Sequence, residues 1–325
     1  MRYMMISLLF VASGVGASDF DAYLKQVSER ALGEGISPST IEQAFSGLEP
    51  DERVIGFDRR QPEFVQTFDQ YLEARVSDFR KQEGRRLYVQ HRDLLEEIAR
   101  QYGVDPAYIV AFWGLETSFG RYQGKYSIVR SLATLGHDPR RSAFFTSELI
   151  HALKILDEKH ISLERFVGAW AGAMGQSQFM PGSFLRFARD HDGDGRKDIW
   201  HSKADVFASI ANYLREAGWR QGRGWGKAVQ LPDTDLSSLK AKTWDTRCRA
   251  LKYHSVPQLP GQWAQQGFDV TGLFRDEAYA LIQPEEGATS SYFAGGNFRA
   301  ILSYNCANKY AVSVGLLAEV IVPPS

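Results

Sequence analysis

The sequence predicts a mainly α (α+β) protein, and three observations carry that prediction. Helical apolar spacing with recognisable start signals runs through most of the chain up to about residue 219. Between residues 220 and about 300, Gly, Pro and Trp rise and short alternating runs replace the helical spacing. The 325 residues are 44% hydrophobic and 24% charged, ordinary globular composition with length for a large core or several lobes.

Taken in order, residues 1–17 have the pattern of a signal peptide. Arg2 supplies the charge, Met4 to Ala12 a short apolar stretch, and Val15-Gly16-Ala17 a small-residue cleavage site. The apolar stretch is too short for a comfortable membrane span. An N-terminal helical region, 18–95, follows: one helix opens at Asp19, another at Pro38 behind Ser37 as N-cap, and a third at Phe64. Apolar spacing from Arg85 to Tyr102 predicts one continuous helix into a core spanning 96–220. Within that core, a helix is expected from Pro106, behind Asp105 as N-cap, to a stop at Gly120. Further helices are expected over 143–159, 163–173, 183–189 and 203–217. A small β-containing lobe, 221–300, carries candidate strands at Lys227–Leu231 and Tyr279–Ile282. Phe298–Tyr304 fits a strand or a helix start, and a C-terminal segment, 301–325, reads helical from Tyr310 to Val320. No internal repeat is visible.

A net charge of −1 gives no footprint for nucleic acid. The two cysteines, Cys248 and Cys306, form no C-x-x-C motif; they pair only if the fold brings them together, and two free thiols is the alternative. Of the seven histidines, His137, His151, His160 and His191 have no metal-ligand spacing among themselves.

The chemistry concentrates in two runs. Phe112-Trp113-Gly114-Leu115-Glu116-Thr117-Ser118-Phe119-Gly120 places one carboxylate in the last turn of a very apolar helix. Among indole and phenyl rings a carboxylate loses hydration, which disfavours its charged form and suits a general acid. A Glu that leaves the helix surface and stays wet is the plainer alternative. The second run is Gly172-Ala173-Met174-Gly175-Gln176-Ser177-Gln178-Phe179-Met180-Pro181. Its amides and apolar faces suit a sugar, while its small residues equally suit a tight helix–helix contact.

Together with Pro139-Arg140-Arg141, Ala211-Asn212-Tyr213-Leu214, Gly218-Trp219, Tyr304-Asn305 and Tyr310, these runs resemble the lytic murein transglycosylase B family, in the family's order and over roughly residues 60 to 320. The resemblance implies a lysozyme-like helical catalytic core. It implies cleavage of the β-1,4 bond between N-acetylmuramic acid and N-acetylglucosamine in peptidoglycan glycan strands, with Glu116 as the single acid/base. It implies attack by the muramyl 6-hydroxyl, giving 1,6-anhydro ends. A second carboxylate about 5–5.5 Å away, as in ordinary retaining glycosidases, is then unnecessary. Arg140 and Arg141 would bind peptide or lactyl carboxylates, and Gln178 an N-acetyl or hydroxyl group. Tyr71, Tyr213, Tyr304, Asn305 and Tyr310 match cleft positions. The sequence departs from the family's frequent Ser at Ala169, so a hydroxyl that could orient Glu116 must come from Ser118 or elsewhere, or be dispensable. Export as a soluble periplasmic protein is expected, with no membrane span after signal cleavage and no lipid-bearing Cys near the cleavage site. Cell-wall synthesis or division proteins are the partners such a role suggests.

The loop Asp190-His191-Asp192-Gly193-Asp194-Gly195-Arg196-Lys197-Asp198 fits a calcium-binding loop: oxygen ligands at 1, 3 and 5, Gly at 6, the Arg196 carbonyl at 7 and Asp198 at 9. His201 stands where a bidentate Glu closes an EF-hand, and Asp205 is the candidate closing ligand. A solvated Asp-Gly turn is the alternative. The expected Ca2+ is structural. Two other functions share these residues: a hydrolytic muramidase with water as nucleophile, and a noncatalytic murein-binding scaffold protein.

Overall fold

The computed structural model describes residues 15–60, 66–232, 248–285 and 287–322. The expected signal peptide falls outside the described residues up to 14, and its last three residues begin the first helix. The chain forms two compact units, each assembled from two separated stretches, 1–60 with 125–173 and 61–124 with 174–325. The segments 18–95 and 96–220 therefore each contribute to both units.

The helices of the first stretch are α1 (Val15–Gly33), α2 (Pro38–Phe45) and α3 (Glu52–Arg60). Then come α4 (Phe68–Arg75), α5 (Asp78–Gln90), α6 (Arg92–Tyr102) and α7 (Pro106–Thr117). The return to the first unit consists of β1 (Tyr126–Ser127), α8 (Ile128–His137), α9 (Ser142–Asp157) and β2 (Val167–Gly168). The remainder runs α10 (Pro181–Phe187), α11 (Lys203–Glu216), β3 (Gly226–Val229), α12 (Pro260–Gln265), β4 (Ala280–Ile282), β5 (Ser291–Ala294), α13 (Gly296–Tyr304) and α14 (Asn308–Ile321).

In the first unit, α8 packs on α9, and Leu132 and Leu135 of the one and Phe145, Leu149 and Leu153 of the other are buried. Ser37 caps α2 as expected, accepting from the Thr40 amide. The Ser37 and Thr40 hydroxyls both donate to Asp157 at the end of α9 and hold its carboxyl below the usual range. The helix expected over 163–173 does not form. A single 3-10 turn at Leu163–Arg165 gives way to β2, which pairs antiparallel with β1. The glycines explain this: Gly168 lies in the strand, and Gly172 adopts φ +95°, which a helix excludes.

The second unit is organised around α7, in which every residue from Ala107 to Thr117 except Glu116 is buried. A helix apolar on all sides must be enclosed; α5, α6, α11 and α14 enclose it. Three sequence expectations change here. The helix expected from Phe64 begins at Phe68, behind a Thr67–Gln70 capping box, with Phe64 and Val65 outside the described residues. The continuous helix from Arg85 to Tyr102 breaks at His91, whose ring packs edge-on against Trp113 and Phe207. Asp105 precedes α7 but makes no capping bond; its carboxylate instead accepts from the Trp219 indole at 3.1 Å and the Gly222 amide at 3.0 Å.

A three-stranded antiparallel sheet has the order β3-β5-β4. Trp263, Phe268, Tyr279, Leu281 and Phe293 form its core. The central strand β5 was not expected because all four of its residues are buried, leaving no alternation to read. Cys248 and Cys306 form a disulfide. Beside it, the buried His254 bonds to Asn308 at 2.9 Å, and burial lowers the imidazole pKa from 6.5 to about 4.

The His254 shift has a defined consequence for stability. Its folded pKa lies below the unfolded value, so as pH falls the unfolded chain takes up the proton first. The contribution is complete above about pH 6.5 and is lost as the pH falls towards 4, amounting to roughly 3 kcal/mol. Urea unfolding of wild type and His254→Gln between pH 7 and 4.5 should show a shallower pH dependence for the variant. Equal slopes would remove His254 from the acid lability.

Candidate active site

Glu116 is the half-buried penultimate residue of α7. The helix ends not at Gly120, as expected, but at Ser118, which takes the left-handed cap. Ser118, Phe119 and Gly120 have successive φ values of 51°, 63° and 83°. Two of the three are not glycine, so the turn carries backbone strain that surrounding contacts must hold. The Phe119 ring packs edge-on against Trp113 with centroids 5.5 Å apart. The Thr117 hydroxyl accepts from the Gly120 amide at 2.9 Å. Arg80 donates to the Gly114 carbonyl at 3.2 Å.

Gln176 is a hub beneath this turn. Its Oε1 accepts from the Trp113 indole at 2.8 Å and from Lys203 Nζ at 2.9 Å. Its Nε2 donates to the Trp200 carbonyl at 2.7 Å, and its own carbonyl accepts from Thr117 at 3.0 Å. A Cβ at Gly120 would lie 2.4 Å from Gln176 Oε1, so glycine is required there by space as well as by φ. Gln176 is therefore a buried structural amide, which corrects the expectation that it offers groups to a sugar. Gln178 differs. The bridge between Met174 and Phe179 makes residues 175–178 a turn in which Gln178 is only half-buried. Its Nε2 donates to the Gly175 carbonyl at 2.9 Å.

Tyr310, in the first turn of α14, donates its hydroxyl to Glu116 Oε1 at 2.5 Å. Burial first, and then the neighbouring Glu116, raise the phenol pKa well above its ordinary value, so it remains a donor. Tyr304 ends α13 and donates to the Ser177 carbonyl. Its ring lies 4.7 Å from both Phe112 and Tyr213, centroid to centroid. Tyr213 donates to the Ser303 carbonyl. Tyr71 is half-buried on α4, with the Arg75 guanidinium over its ring. Asn305 caps the end of α13 and is exposed. Nothing in the local sequence marks the supports from Arg80 and Lys203, because each acts across the fold; Gln176 lies in a run that the sequence singles out, but for a sugar rather than for this hub.

Arg140 and Arg141 belong to the first unit. Arg140 pairs with Asp138 at 2.8 Å and Asp58 at 3.0 Å. Arg141 pairs with Asp58 at 3.4 Å and stacks on Phe145.

In the loop before α11, carboxylate oxygens of Asp190, Asp192 and Asp194 lie within 4.8 Å of one another. Asp190 accepts the Gly193 and Gly195 amides, and Arg196 pairs with Asp194. Asp198 accepts the Trp200 and His201 amides. Asp205 is fully buried. Its two oxygens take the His191 amide at 2.7 Å and the Asp198 amide at 2.6 Å, tying both ends of the loop together.

Glu116 thus stands at the strained end of an enclosed helix, with the Tyr310 hydroxyl on its carboxylate. The chain belongs to the transglycosylase SLT domain family, whose model matches residues 19–319. It is 32% identical over 249 residues to the membrane-bound lytic murein transglycosylase B of Escherichia coli (strain K12). That match takes in 74% of this chain and 63% of the relative, so the chain spans less than two thirds of that protein's length. The crystal structure of SltB3 from Pseudomonas aeruginosa in complex with NAG-anhNAM-pentapeptide is 37% identical, with a TM-score of 0.84 over 92% of this chain and 78% of that one. The Escherichia coli lytic transglycosylase Slt35 in complex with calcium is 26% identical, with a TM-score of 0.76 over 93% of this chain and 92% of that one. Among the described residues no helix is long and apolar enough to cross a membrane.

Proposed function

We propose that the protein is a peptidoglycan lytic transglycosylase. It cleaves the β-1,4 bond between N-acetylmuramic acid and N-acetylglucosamine and leaves 1,6-anhydro-N-acetylmuramic acid ends. The observation that carries this reading is the Tyr310 hydroxyl on Glu116, at the end of a buried helix in a chain of the SLT family. The SltB3 complex with an anhydro-muropeptide supports the substrate class.

In the proposed reaction, Glu116 gives its proton to the glycosidic oxygen as the anomeric carbon–oxygen bond breaks, releasing the glucosaminyl 4-hydroxyl. The substrate's own N-acetyl group assists at the anomeric carbon, so one protein carboxylate suffices. The Glu116 carboxylate then takes the proton of the muramyl 6-hydroxyl as that oxygen bonds to the anomeric carbon, which restores the acid. The tethered hydroxyl has a large effective-concentration advantage over water. Tyr310 fixes which way the carboxyl points. Gln178, Tyr71, Tyr213, Tyr304 and Asn305 hold the sugar rings. Arg140 and Arg141 bind a lactyl or peptide-stem carboxylate, which must compete with Asp58 and Asp138. The signal-like residues 1–17 support export to the periplasm.

Asp190, Asp192 and Asp194 would hold a Ca2+, with the Arg196 carbonyl and Asp198 completing the set. Three converging carboxylates repel unless neutralised, and hard oxygen donors suit calcium. The calcium complex of Slt35 supports this ion. Asp205, the closing ligand expected from the sequence, has one oxygen on the His191 amide and the other on the Asp198 amide, and in this reading it braces the loop instead of closing the set. The ion's role is structural: it steadies the loop that supplies the Trp200 carbonyl to Gln176.

Two outcomes test these assignments. Glu116→Gln is isosteric but cannot transfer the proton, so release of soluble muropeptides from purified sacculi should fall at least about a thousandfold with the melting temperature little changed. Near wild-type turnover would end the assignment. Calcium should raise the melting temperature of the wild type, and Asp190→Ala with Asp194→Ala should abolish that rise. Identical melting in calcium and in chelator would leave the loop a plain turn.

A further inference from the structure

The two tyrosines that wall Glu116 flank a short connection. Tyr304 is the last residue of α13, Tyr310 lies in the first turn of α14, and residues 305–307 join them. Three links fasten that joint to a single distant segment. Cys306 is disulfide-bonded to Cys248. Asn308, buried at the first position of α14, donates to the Ala250 carbonyl at 2.9 Å. His254 meets Asn308 Oδ1 at 2.9 Å; because that oxygen only accepts, the His254 Nε2 carries the hydrogen. The fastening segment is itself stitched to the sheet. His254 bridges Ile282, and Ser255 exchanges bonds with Leu281 through its amide at 2.8 Å and its hydroxyl at 2.9 Å.

The α14 start gains little from its own sequence: its N-cap, Ala307, makes no side-chain cap bond. Asn308, which could have served a helix end, is spent on residues 250 and 254 instead. The joint is thus held from outside, and what it holds is the direction of two phenols, one donating to Glu116 and the other to the Ser177 carbonyl.

We infer that the Cys248–Cys306 disulfide, with Asn308 and His254, is a positioning clamp that sets the Tyr310 hydroxyl on Glu116 and so makes turnover depend on the oxidised state of the protein. Cys306 is exposed, so a reductant reaches the bond. Reduction opens the sulfur–sulfur bond to two thiols at the expense of the added phosphine or dithiol. It leaves the joint tied to that segment by two hydrogen bonds, with Lys309 still paired to Glu285 and bonded to the Gln66 carbonyl. The small sheet thereby acquires a part in the reaction: it is the anchor of the clamp. This inference rests on the reading of Glu116 as the catalytic acid.

The test compares the oxidised full chain, the same protein reduced with a phosphine and then reoxidised, and Cys306→Ser, each assayed on purified sacculi well below its melting temperature. Reduction and Cys306→Ser should each lower kcat about tenfold with KM within about twofold, and reoxidation should restore the wild type. In a Tyr310→Phe background, where the hydroxyl is already gone, reduction should change kcat less than about twofold. Amide hydrogen exchange, which needs no activity, should speed up on reduction across residues 304–312 while α7 stays protected. A purely structural disulfide would lower the melting temperature but leave kcat unchanged, and that result overturns the clamp. So does an equal loss on reduction in wild type and Tyr310→Phe. If the oxidised wild type cleaves no sacculi, the functional reading fails instead, and exchange alone decides whether the clamp holds the joint.

Discussion

The site depends on one hydrogen bond, from the Tyr310 phenol to Glu116. A carboxyl at the end of a helix as apolar as α7 has few polar groups of its own segment to meet, since every residue around it from Ala107 to Thr117 is buried. A buried phenol kept protonated by its surroundings gives that carboxyl a fixed partner and a fixed direction. The rest of the second unit can be understood as the means of bringing α14 to α7 and keeping it there.

That means is distributed. From below, Gln176 joins the α7 end to the acidic loop and to Lys203, and lets the chain reverse through three left-handed residues. From the side, Phe112, Phe179, Tyr213 and Tyr304 pack ring against ring. From the sheet, the segment around Cys248 and His254 grips the joint between α13 and α14. Each support comes from a different part of the sequence, which is how a lone acid in an apolar helix acquires defined geometry.

The helices were legible wherever a start signal and a clear apolar stripe coincided. Ser37-Pro38 opened α2, and the α9 and α11 spans fell within a residue or two of expectation. Glu116, Tyr304 and Tyr310 were legible because the family motifs carry them. What the sequence hid was long-range. His91 breaks a regular stripe to pack its ring on Trp113, β5 is buried on both faces, and Asp105 looks like a cap but serves Trp219. Gln176 and Gln178 sit two apart in one run, yet only the turn between Met174 and Phe179 sends one inward and leaves the other partly exposed.

The central claim is that a single carboxyl, directed by a phenol, uses a hydroxyl already tethered to the sugar. The most direct test is the mass of what the oxidised protein releases from purified sacculi. The account predicts muropeptides ending in 1,6-anhydro-N-acetylmuramic acid, each lighter by one water than a hydrolytic product. A predominance of hydrated, reducing ends would contradict it and make the protein a muramidase with water as nucleophile.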